Sequence, residues 1–199
     1  MIKKIHYFFP FLFTILLLTG CSFDSLLQKD TMNKEKDYLT IGNRLTINNI
    51  DDSFTLLDHK EALAANGIYY TSFGIGDSEN YENSSGEIVD LYDAQLYLLL
   101  GETKSENAAK KKKDDWILAA KENYDILEEE FYDNELSYSI LSYHHKNTNN
   151  PYTKGISAFC VFSNNTLCIE LTSKENFEED LKTLLMNFLE NLSYHYNEE

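Results

Sequence analysis

Two short runs near the C-terminus restrict the fold more than any other feature of the chain. Ile156, Ala158, Cys160 and Phe162 alternate with smaller or polar residues, and Leu167, Ile169 and Leu171 alternate just beyond them. A two-residue turn at Asn164-Asn165 pairs Phe162 with Leu167 and Cys160 with Ile169, which places all of these side chains on one face. Side chains spaced two apart on paired strands need a second layer to bury them. The next segment supplies one: Phe177, Leu181, Leu184, Leu185, Phe188, Leu189 and Leu192 follow the spacing of a helix laid on a sheet. Asn176 with Glu179 forms a capping pair for that helix, and the carboxylates of residues 178–180 suit the positive end of its dipole. In the same register Cys168 opposes Val161 on the other face from Cys160. The two thiols then point apart, and no disulfide between Cys160 and Cys168 is expected.

Upstream, residues 44–48 and 53–57 flank the turn-forming stretch Asn49, Ile50, Asp51 and Asp52, which reads as a hairpin. Residues 61–66 read as one helical turn stopped by Gly67, and residues 68–75 as a strand. The polar stretch 76–86 (GDSENYENSSG) reads as a loop. Residues 87–100 form a long strand ended by Gly101, and residues 105–124 a helix with Ala109, Trp116, Ile117, Ala120 and Tyr124 at helical spacing. Strands follow at 126–132 and 136–144, then a loop through Asn147, Asn150 and Pro151. The reading is α+β: an antiparallel β-sheet packed by two helices.

That order resembles the PsbP/Mog1-like α/β/α fold. The carrying stretches are the early hairpin, the passage VDLYDAQLYLLLGE into KKKKDDWILAAKENY, and the closing unit GISAFCVFSNNTLCIELTSKENFEEDLKTLLMNFLENL. The resemblance spans about residues 40 to 195. It implies an α/β/α sandwich that acts as a binding or assembly factor and not as an enzyme, and it brings no functional residue to carry over. A cystatin-like α+β domain shares much of the pattern.

The N-terminus is a separate unit. Lys3 and Lys4 precede an apolar run from Tyr7 to Leu18, broken by Pro10 and Thr14 and too short to span a bilayer comfortably. It ends Leu18-Thr19-Gly20-Cys21, which resembles the lipobox of bacterial lipoproteins. The resemblance implies cleavage before Cys21, a diacylglyceryl group on its thiol, and acylation of the new amine by a fatty acid such as palmitate. Several chains give a stable anchor where one does not. The chain thus divides into a signal peptide (1–20), a lipidated tether (21–37) and a single α+β domain (38–199). Its expected place is the extracytoplasmic face of a cell membrane. Abundant Lys, Asn, Glu and Ile beside scarce Arg and Pro fit an AT-rich genome, hence a Gram-positive bacterial source.

The formal charge of −16 becomes −18 on loss of Lys3 and Lys4, which excludes bulk electrostatic binding of nucleic acid. Little else carries chemistry. His144 and His145 are adjacent and so point to opposite strand faces, while His59 and His195 have no spaced partner, and no metal site is expected. No nucleophile motif occurs, and no cofactor or catalytic residue is assigned. Cys160 reads as a small core hydrophobe. Asp77, Glu79, Glu82, Asn83 and Glu87 offer oxygen ligands without calcium-loop spacing; a solvated loop is the plainer reading. Glu128, Glu129 and Glu130 put carboxylates on both faces and suggest an edge strand. Lys110 to Lys113 is the one basic island. It is either a solvated helix face with one stem turned inward or a contact for anionic lipid or wall polymer.

Two functions remain open. One is a non-enzymatic module that binds a protein or cell-surface component through a sheet face rich in tyrosine, with Tyr69, Tyr70, Tyr92, Tyr97, Tyr138 and Tyr143 as its surface. The other is a small extracytoplasmic enzyme whose site joins His59 or His144 to two carboxylates in a deep pocket.

Overall fold

The computed structural model describes residues 38–50, 52–60, 63, 67–83, 86–147 and 150–196. The leader, Cys21 and the tether lie outside them, as does most of the expected helical turn at 61–66.

Among the described residues the protein is mostly β, with ten strands in two antiparallel sheets and only two helices. The strands are β1 (Tyr38–Ile41), β2 (Leu45–Asn48), β3 (Phe54–Lys60), β4 (Ile68–Glu82), β5 (Ile88–Glu102), β6 (Tyr124–Asp133), β7 (Ser137–His145), β8 (Lys154–Phe162), β9 (Asn165–Ser173) and β10 (Leu192–Tyr194). The helices are α1 (Glu106–Asn123) and α2 (Leu181–Glu190). The large sheet runs β3-β4-β5-β9-β8-β7-β6, and the small one β1-β2-β10.

This corrects the expected α/β/α sandwich of one sheet between two helices. One face of the large sheet is covered by α1, where Trp116, Ile117 and Ala120 meet Leu99, Leu141, Phe159 and Cys168. The other face is covered chiefly by the small sheet. Ile41, Leu45, Ile47 and Leu192 lie over Phe73, Leu96, Leu98, Ile140 and Ile169, and the short α2 adds Leu185, Phe188 and Leu189. The helices therefore do not form the two outer layers of a sandwich.

The expected hairpin of residues 44–57 does not form. β2 pairs with β1 and β10, while β3 pairs with β4 in the other sheet. Leu45 and Ile47 are fully buried as the cover of the sheet to which Phe54 and Leu56 belong, so the two strands lie in different layers. Asn49, at φ 51°, takes the left-handed conformation that redirects the chain. Arg44 joins the layers through an ion pair to Glu102 at 3.1 Å.

The β8–β9 hairpin keeps its expected faces but not its expected turn. Ser163 and Asn164 form the turn, Phe162 pairs with Asn165, and Cys160 pairs with Leu167. The pairing slips by two residues, an even number, so each side chain stays on its face. Asn164 is held in the turn by Thr103, whose N–H donates to its carbonyl at 3.0 Å and whose carbonyl accepts from its Nδ2 at 2.7 Å. Cys168 opposes Phe159 and not Val161, and the two thiols lie in different core clusters.

Helix α1 is capped by Ser105, as its expected start requires. Helix α2 starts later than expected. Asp180, not Asn176 with Glu179, caps it by accepting from Thr183 N at 2.9 Å and Thr183 Oγ1 at 2.7 Å.

Candidate functional site

The histidines do not converge. His59 lies on edge strand β3, His144 is exposed near the end of β7, and the His195 ring is bonded to Thr46 Oγ1 at 2.8 Å. Among the described residues no three His, Cys, Asp or Glu side chains gather as metal ligands. A notch of about 100 Å³ lies between the β2–β3 connection and α2. Its lining among the described residues includes Asn48, Asn49, Ser53, Asn187 and Asn191 around Phe54 and Phe188, and none of those described is a carboxylate or a histidine.

The six tyrosines named from the sequence do not form one open face. Tyr138 is buried beside Tyr194 in the layer under the small sheet, and Tyr69 packs on that layer with its ring over Gly42. Tyr70 donates to Asp58 Oδ2 at 2.8 Å. Tyr97 and Tyr143 belong to a network on the α1 side of the large sheet, centred on Glu170. Tyr143 stacks on Tyr124 with ring centroids 4.0 Å apart, and both hydroxyls donate to Glu170 Oε1, Tyr124 at 2.8 Å. Tyr97 pairs directly with Glu170 across the strands and donates to Gln95 Oε1 at 2.5 Å. Tyr152 interacts electrostatically with Tyr97 at the margin of the network and donates to the carbonyl of Tyr92 at 3.3 Å.

Burial pushes these phenols well above the ordinary tyrosine range and raises Glu170, although the Tyr143 and Tyr124 hydrogen bonds pull its carboxyl back down. His145 packs edge-on against both stacked rings, and burial, helped by His144, lowers it to about 4. The network joins helix, sheet and the β7–β8 loop, and its donors and acceptors are turned on one another. Sequence reading gives Glu170 and Tyr152 no role and places Tyr124 only on the apolar stripe of the helix. The available signal was that Glu170 is the lone charge between Gly155 and Ser173.

The most exposed shaped feature is a ribbon where a loop was expected. β4 and β5 continue past the sheet, because β3 leaves β4 at Ile75 and β9 leaves β5 at Ala94. Beyond those residues the two strands pair only with each other, from Ser78 with Tyr92 to Glu82 with Ile88. Residues 76–93 carry Asp77, Glu79, Glu82, Glu87, Asp90 and Asp93 and no basic residue. Ile88 is 73% exposed and Val89 39%. The expected oxygen-rich loop is therefore a paired ribbon whose alternate acids diverge to opposite faces. Two of these acids are taken by Lys174, which reaches Glu79 Oε1 at 2.8 Å and Asp93 Oδ1 at 3.2 Å.

The basic island is partly engaged. Lys110 pairs with Glu106 at 2.6 Å, and Lys112 lies over Gly101 with Nζ 5.6 Å from the Trp116 ring centre. Burial lowers the Lys112 ammonium. β6 is an edge strand, as its three glutamates suggested, with Glu129 paired to Lys121 and Glu130 to Lys182.

No protein-family model and no curated protein matches the chain. Among solved structures it is similar to cyanobacterial PsbP (CyanoP) from Synechocystis sp. PCC 6803. Identity is 11%, covering 90% of this chain and 99% of that chain, with a TM-score of 0.47. It is also similar to a protein from Bacteroides thetaiotaomicron VPI-5482, at 9% identity over 82% of this chain and 50% of that one, with a TM-score of 0.40. The first falls within the resemblance carried by the sequence pattern. At TM-scores this low neither likeness carries an argument about function.

Proposed function

We propose that this chain is a membrane-anchored, extracytoplasmic bacterial lipoprotein, held by lipid on Cys21, whose folded domain is a non-enzymatic binding module. The lipobox-like Leu18-Thr19-Gly20-Cys21 supports the anchor. The observation that supports binding is the ribbon of residues 76–93, which projects from a sheet covered on both sides and exposes Ile88 and Val89 among acids. Exposed apolar side chains on a projecting element, away from the core, mark a contact surface for a partner.

Cys21→Ala releases the domain from membranes or leaves an uncleaved precursor; a processed form still retained at the membrane overturns the anchor. For the binding role, a photo-crosslinking residue at Val89 in intact cells gives a discrete adduct that the same residue at Leu118, exposed on α1, does not. Equal adducts from both sites, or none from Val89, overturn the ribbon as the contact surface.

A further inference from the structure

The ribbon has two long edges, and they differ. On the β5 side, Lys174 N donates to the Asp93 carbonyl at 2.9 Å, Lys174 Nζ reaches the Leu91 carbonyl at 3.4 Å, and Tyr152 Oη donates to the Tyr92 carbonyl at 3.3 Å. That edge is occupied near the sheet. On the β4 side, pairing with β3 stops at Ile75 and the strand bulges at Gly76, φ 81°, with Asp77 N bonded to Asp93 Oδ2 at 3.0 Å. Beyond the bulge no strand among the described residues pairs with the outer edge of Ser78–Glu82. A segment laid there antiparallel to β4 runs in line with β3.

The side chains define what such a segment must carry. Glu82 and Asp90 lie on one face of the ribbon with Ile88, and Tyr81 and Val89 lie on the other with Leu91. Glu79, on the second face, is already neutralised by Lys174. An added strand therefore has Glu82 beside it on one face and Tyr81 on the other, with Asp90 and Val89 one strand further in on those same faces. Open edges are commonly protected by lysine or by paired charges. The edge strand β6 is protected in that way by Glu129–Lys121 and Glu130–Lys182, together with a bulge at Leu127. The β4 edge carries no lysine of its own; Glu79 is paired with Lys174, and the remaining ribbon carboxylates leave the edge net negative. They repel a second copy of this chain, whose ribbon is equally acidic, and attract a basic strand.

We infer that the outer edge of β4 at Ser78–Glu82 accepts an extended protein segment whose residues alternate between basic and apolar, added as a strand in line with β3. Main-chain pairing holds the segment, and the alternation sets its register and specificity. The inference rests on the ribbon being the contact surface.

The test uses the full-length lipidated chain in detergent. The probes are the capped peptide Lys-Val-Lys-Ile-Lys-Val-Lys and a block isomer of the same composition with its four lysines together. The alternating peptide binds about tenfold more tightly, as register-dependent strand addition requires. It slows amide hydrogen exchange in residues 78–82 and leaves α1 unchanged. The double variant Glu82→Lys/Asp90→Lys, both positions being exposed, loses about tenfold in affinity through reversed complementarity while core exchange is unchanged. Equal binding of the two peptides, protection spread over other acidic surfaces, or no protection at 78–82 overturns the inference. A discrete Val89 crosslink in cells together with any of those results overturns strand addition alone. Absence of the crosslink overturns the underlying reading.

Discussion

Glu170 sits among phenols because two tyrosines on different elements, Tyr124 at the end of α1 and Tyr143 on β7, both need an acceptor. A neutral amide there still accepts from both, so Glu170→Gln shifts stability by no more than about 1 kcal/mol. Glu170→Leu orphans both hydroxyls and costs about 2–5 kcal/mol, read by urea unfolding. A loss under 1 kcal/mol for the Leu variant, on the order of one weak hydrogen bond, shows that the network is not structural. Thr172, next on the same face, is 4% exposed, and its hydroxyl has no hydrogen-bond partner among the described residues. Thr172→Val removes an unsatisfied group at similar volume and leaves stability equal or higher by up to about 1 kcal/mol. A clear loss instead means that the hydroxyl has a bound partner. At this scale the sequence could show that Glu170 is isolated. It could not show its donors, because Tyr124 and Tyr143 meet it only through long-range packing.

Elements diverge from their sequence patterns where burial, and not pairing, produces the pattern. Alternation identified β8 and β9 because one face of each meets the core under the small sheet. The ribbon half of β4 and β5 has few such contacts and reads as a polar loop although every residue from Ser78 to Glu82 has a strand partner. Likewise, the α2 cap is legible as a cluster of acids, but Asp180 is chosen over its neighbours by where α2 docks. Lys174 is what fastens the ribbon to the sheet. It is 14% exposed at its side chain, and although burial would lower its ammonium, the hydrogen bonds to Glu79 and Asp93 hold it raised. Lys174→Met accelerates amide exchange across residues 77–93 and leaves β7 and β8 unchanged; uniform acceleration shows a global effect instead. The strands also carry two glycines of opposite tolerance. A Cβ at Gly155 meets the Tyr143 ring at 2.6 Å, and that ring is held by Tyr124 and Glu170. A Cβ at Gly101 meets only the end of Lys112, at 2.7 Å. Gly155→Ala therefore costs about 1–3 kcal/mol by overpacking, while Gly101→Ala stays within about 0.5 kcal/mol. Similar losses for both overturn the assignment of Tyr143 as a fixed ring.

For the whole molecule, strand-rich layers were legible but their arrangement was not. Residues 38–41 offer too short a pattern to be recognised as a strand, so the sequence pattern pairs β2 with β3 and gives no sign of the small sheet that covers the core. On the α1 side of the large sheet two buried groups respond to acid in opposite senses. His145, on the α1 side, is held neutral by burial against Tyr124 and Tyr143, with its Nδ1 bonded to Asn150 Nδ2 at 3.1 Å. Its folded-state value near 4 lies below the ordinary 6.5, so the stability it contributes is complete above about pH 6.5 and is lost as the pH falls toward 4. Since the ring is only partly enclosed, solvent screening reduces the loss to about 1–2 kcal/mol. Glu170 acts in the opposite sense: its raised carboxyl takes up a proton more readily in the folded state, so acid relieves its cost. In a Glu170→Gln background, unfolding free energy therefore falls by about 1–2 kcal/mol more between pH 7 and pH 4.5 than in the Glu170→Gln/His145→Gln double variant. Parallel pH profiles for the two proteins overturn His145 as a source of the acid sensitivity.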